Sequence, residues 1–167
     1  MKRFLFLSLC LIGSVFQAQA QAENYKMLEW EVLNAGYAFG NSDGFLVGSE
    51  LRFNSTDNIS VGIKGSSLLT SSGSGMTLSG SFFLTGDYNL VDGYKTFRPY
   101  GGLQLGYMAG SSNNTVNSLS GLGIGPRLGF EYGHARVTTQ YVYSFADFLP
   151  SYFGVSLGLV LWGGEKK

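Results

Sequence analysis

The sequence predicts an all-β fold: an eight-stranded antiparallel up-and-down barrel that crosses a membrane with its apolar face outward. Three observations predict it. Apolar residues alternate with small or charged ones at period two, which a helix cannot sort onto one face. Charged residues are only 13% of the chain, and Gly supplies 25 of 167 residues, an unusual composition for a soluble enzyme. After residue 22 no apolar run reaches the length of a membrane-spanning helix, so any insertion must use strands.

In chain order the candidate strands are 27–39, 44–53, 59–66, 76–88, 97–109, 119–132, 135–145 and 152–162. The first carries Glu29 and Glu31, with Trp30 and Phe39 near its ends. In the second, Phe45, Val47, Leu51 and Phe53 oppose Gly48, Glu50 and Arg52; in the third, Ile59, Val61 and Ile63 oppose Ser60, Gly62 and Lys64. The fourth ends on Asp87-Tyr88, and the fifth opens on Phe97-Arg98. The sixth alternates most clearly, with Leu122, Ile124, Pro126, Leu128, Phe130 and Tyr132 against Gly121, Gly123, Gly125, Arg127, Gly129 and Glu131. The seventh holds Arg136 and Tyr143, the eighth Phe153 and Trp162. Asn54 to Asn58, Asn89 to Thr96 and Gly133-His134 read as turns. Gly40 to Asp43 is short, whereas 66–75, 110–118 and 146–151 read as longer, exposed loops of adaptable Ser, Asn and Gly chemistry. Pro99 and Pro126 each remove a ladder donor, so a strand end is expected at Pro99 and a local bulge at Pro126.

The N-terminus reads as a secretory signal peptide over residues 1–20. Lys2 and Arg3 are followed by an apolar run over 4–16 and by Ala18-Gln19-Ala20, with a second cleavage frame after residue 22. Residues 21–167 then form one domain. The only cysteine, Cys10, lies in the leader, so the mature chain has no thiol chemistry. Removing Lys2 and Arg3 from 11 basic residues leaves 9 against 11 acidic ones, which argues against a nucleic-acid partner.

Periodicity does not say which face meets water, but composition does. The bulky apolar face would overfill the interior of an eight-stranded barrel, and the Gly/Ser/Thr face is a poor solvent surface. Turned around, lipid covers the apolar face and the small residues fit the narrow lumen. By parity the lumen then receives Glu29, Glu31, Glu50, Asp87 and Glu131 with Arg52, Lys64, Arg98, Arg127 and Arg136, five of each sign. Buried charges must pair, so the expectation is a structural charge network that plugs the bore. Aromatics should gather at the two membrane interfaces. Trp30, Phe53, Tyr88, Phe97, Tyr132 and Trp162 are expected in one band, and Phe39, Phe45, Tyr107, Tyr143 and Phe153 in the other.

Three stretches carry a family resemblance: Phe97-Arg98-Pro99-Tyr100-Gly101-Gly102-Leu103-Gln104-Leu105-Gly106-Tyr107, Gly123-Ile124-Gly125-Pro126-Arg127-Leu128-Gly129-Phe130, and Ser156-Leu157-Gly158-Leu159-Val160-Leu161-Trp162. With them the whole mature chain resembles the OmpA/OmpX-like small outer-membrane β-barrel proteins of Gram-negative bacteria. The last stretch looks like the terminal-strand signal read by the barrel-assembly machinery, although Gly163-Gly164-Glu165-Lys166-Lys167 follows where that signal ends on an aromatic. The resemblance implies an integral outer-membrane protein, monomeric or weakly associated, whose partners are outer-membrane lipid and, during biogenesis, the assembly machinery. It implies no single activity. A peptidoglycan-binding domain follows the barrel in some members, and none is expected from this sequence.

No catalytic, cofactor or metal site is expected. His134, the only histidine, falls in a turn and is followed by Ala135 and Arg136, so the His-x-Ser pattern of a deacylase is missing. One His and no mature Cys leave only carboxylates as metal ligands. The leading expectation is a non-enzymatic barrel with an envelope-structural or surface-contact role. A lipid-modifying enzyme needs a Ser/His or Asp/His pair at the extracellular rim. A secreted soluble barrel binding a small apolar ligand needs the bulky face inward.

Overall fold

A computed structural model describes residues 27–40, 43–72, 75–91, 96–112, 115–147 and 149–162. The expected signal peptide lies outside them. Eight strands, β1 (Leu28–Gly40), β2 (Gly44–Asn54), β3 (Ile59–Ser72), β4 (Gly75–Asn89), β5 (Phe97–Ser112), β6 (Thr115–Tyr132), β7 (Ala135–Ser144) and β8 (Tyr152–Trp162), follow one another around a closed barrel. Every neighbouring pair is antiparallel, and β1 closes on β8. Closure leaves no strand edge open to the surroundings.

The wall faces outward with its apolar residues. Leu103, Leu105, Leu122, Leu128 and Leu157 are each at least half exposed, whereas Arg52, Arg127 and Arg136 are 1% exposed. This orientation excludes the soluble barrel with an apolar lumen face throughout. Exposed aromatic residues occur toward both ends of the wall. Phe97 pairs across from Tyr132 and Ile59 from Tyr88 toward one end; Phe39 pairs with Phe153 and Tyr37 with Phe45 toward the other. Tyr37 also packs on Phe39 and Phe45 at 4.9 and 5.5 Å, and Tyr143 meets Phe145 edge-on at 5.3 Å. Phe53 is half-buried. Trp162 pairs by its backbone with Trp30, and its side chain lies outside the described residues. The ten steps from Phe97 to Tyr107 in β5 span about 33 Å along a strand, or about 25 Å of membrane depth at the tilt usual for such barrels.

Strict alternation cannot put Glu29 and Glu31 inside and Phe39 outside, because all three share parity. A register shift in β1 between Glu31 and Asn34 resolves this, after which Asn34 and Ala38 face the lumen. The irregularity carries its own hydrogen bonds: the Ser49 hydroxyl donates to the Glu31 carbonyl at 2.9 Å and accepts from the Trp30 indole at 3.1 Å.

The bulge expected at Pro126 is absent. Leu103 pairs with Pro126 in an unbroken β5–β6 register, and β6–β7 keeps one register from Ile124–Tyr143 to Arg127–Gln140. The missing donor is absorbed by leaving Gly125 and Pro126 unpaired toward β7. A Cβ at Gly125 would stand 1.6 Å from the Tyr141 carbonyl oxygen, so only glycine lets β7 approach there. Pro99 is the third residue of β5, and its carbonyl accepts the Leu90 N–H at 2.9 Å. The expected loops at 66–75 and 110–118 are instead mostly strand: β3 runs to Ser72, β4 starts at Gly75, β5 runs to Ser112 and β6 starts at Thr115. Polar residues weaken the alternation signal there, but ladder bonds do not need apolar side chains. In the turn between β6 and β7, Gly133 takes φ 58° and His134 stays at negative φ, the glycine-first arrangement of a two-residue hairpin loop.

Candidate functional site in the barrel lumen

The lumen has two layers. Toward the end that carries the turns after β2, β4 and β6, the inward residues include the ten charged ones read from parity, and all ten are buried. Glu131 on β6 is the hub. It pairs with Arg52 from β2, Arg98 from β5 and, at 2.5 Å, Arg136 from β7. Glu29 on β1 meets the first two again, Arg52 at 3.2 Å and Arg98 at 3.3 Å, which closes a four-membered ring. Arg136 carries the network onward to Asp87 at 2.6 Å, and Asp87 to Arg127 at 3.0 Å. Arg127 then reaches Glu50 at 2.9 Å, whose other oxygen accepts the Thr85 hydroxyl at 2.7 Å. Glu31 joins through Arg136 at 3.6 Å and accepts from the Asn34 amide. Lys64 donates to Gln140 at 2.7 Å.

Pairs at these separations are worth several kcal/mol each against a desolvation cost of similar size. The network therefore contributes cross-links between opposite walls more than net stability. Its local origin is simple: β1 to β7 each place one or two charges on their inward parity, two residues apart in Glu29/Glu31 and Glu50/Arg52 and four apart in Arg127/Glu131, while β8 places none. Balanced charge lets them all stay buried.

Several members carry no charge signal. The Tyr100 hydroxyl accepts from Arg136 Nε at 2.9 Å and contacts the Thr138 hydroxyl at 2.5 Å, and the Arg136 guanidinium lies 3.8 Å from the Tyr100 ring centroid. Gln104 and Gln140 are also buried in the lumen. Parity would have found them, since they share the inward register of Arg98 and Arg136.

The second layer departs from the expected lumen of small and ionic groups. Ala38, Leu46, Leu68, Phe83, Met108, Val142 and Tyr152 form a buried apolar cluster, joined by Leu149 from the connection after β7. Each wall residue lies on the inward parity of its strand, above the charges. The stretch 146–151, expected as an exposed loop, thus turns Leu149 inward and packs Ala146 against the cluster. The Ser151 hydroxyl accepts the Ser144 N–H at 3.0 Å and the Leu149 N–H bonds the Ala146 carbonyl at 3.0 Å, holding the connection folded.

His134 is exposed in its turn, at the same end as the charged layer, and its Nδ1 lies 2.8 Å from the Val160 carbonyl oxygen. Among the described residues no group of three or more His, Cys, Asp or Glu side chains could hold a metal ion.

Closed topology, an outward apolar wall and an inward layer of buried charges together decide the fold. It is that of the small outer-membrane β-barrels. The N-terminal β-barrel domain of Pseudomonas aeruginosa OprF superimposes with a TM-score of 0.55 at 13% identity, covering 82% of this chain and 99% of that one. Neisserial surface protein A gives a TM-score of 0.57 at 13% identity, covering 86% of this chain and 97% of that one. No protein-family model matches the sequence. No curated protein matches it either. At such identities an outer-membrane barrel of this size is defined by its wall and its closure, because those are what lipid demands.

Proposed function

We propose that this chain is a non-enzymatic integral outer-membrane protein of a Gram-negative bacterium, exported by a cleaved signal peptide, with an envelope-structural or surface-contact role. The observation that carries the reading is the two-layer lumen: interlinked ion pairs that cross the bore lie beneath a buried apolar cluster. Eight strands enclose only enough space for their own side chains. The turn end then faces the periplasm, and the ribbons of β3–β4 and β5–β6 rise on the outside as the contact surface. The barrel is a monomer in outer-membrane lipid and reaches it through the barrel-assembly machinery, to which the Ser156–Trp162 stretch is similar in its signal.

The enzyme reading needs a His partnered by Ser or a carboxylate at the outer rim. His134 instead meets a backbone carbonyl at the opposite end, which favours the structural role. Two measurements test the proposal. Purified protein should show heat-modifiable gel migration and β-rich circular dichroism in detergent. In planar bilayers it should give no sustained conductance steps; a stable open-channel current from the folded barrel would defeat the plugged-lumen reading.

A further inference from the structure

We draw no further inference here: the strongest candidate, the buried side-chain cluster of Lys64 and Gln140 that crosses the bore beneath the apolar cluster, belongs to the site already described.

Discussion

Glu131 holds three guanidinium groups, so its loss should be felt more than that of any other lumen carboxylate. Glu131→Gln leaves Arg52, Arg98 and Arg136 without their shared partner, and uncompensated buried charge costs about 3–5 kcal/mol. Urea unfolding in lipid vesicles should show a loss of that size, larger than for Glu31→Gln, whose nearest guanidinium is 3.6 Å away. Ser49 invites a second substitution. Ser49→Val removes the hydroxyl that satisfies the Glu31 carbonyl at the β1 irregularity, and an unsatisfied polar group costs about 1–3 kcal/mol. The same unfolding measurement should detect it, while Ser67→Val on the outer face of β3 serves as the comparison. The ten charged residues were legible in the sequence because parity and sign suffice to list them. Their partners were not, since Glu29 and Arg98 are 69 positions apart and meet only across a closed bore.

The strands differ in how plainly they announce themselves. In β6 the alternation of Leu122 through Tyr132 reads cleanly, and the structure follows it. Its upper extension from Thr115, like that of β3 to Ser72, is rich in Ser, Asn and Thr and breaks the apolar alternation, so ladder pairing there is invisible before the neighbouring strand is known. The β1 irregularity is hidden for a related reason: a one-residue shift leaves Glu31 and Phe39 on opposite faces without any composition change. Two predictions belong to the strands. Gly125→Ala should prevent correct β6–β7 pairing, because its Cβ meets the Tyr141 carbonyl, whereas Gly86→Ala should be silent; the yield of heat-modifiable barrel after refolding separates them. Leu128→Lys, midway between the aromatic bands, should cost about 2–4 kcal/mol in vesicle unfolding, and Phe97→Lys, at the interface, about 0–1 kcal/mol.

As a whole the barrel is an inverted globule, with lipid where a soluble protein meets water and ion pairs where it keeps its core. The inversion is incomplete, since the apolar cluster from Ala38 to Tyr152 gives the bore a conventional core at the loop end. Leu149 supplies the top of that core from a connecting segment. Leu149→Asp should therefore loosen the loop end, seen as faster amide exchange in β7 and β8 near Val142 and Tyr152, while the ion-paired layer below stays protected. Unchanged exchange would show that the cluster holds without its cap.

The linear chain decided the strand count, the outward direction of the apolar face and the ten charges of the lumen, because alternation and composition are local properties that lipid and a narrow bore constrain directly. Closure decided the rest. Which arginine meets which carboxylate, where β1 slips, why Pro126 needs no bulge beside Gly125, and that an apolar cluster lies above the charges all depend on strands far apart in sequence being brought within a few ångströms of one another.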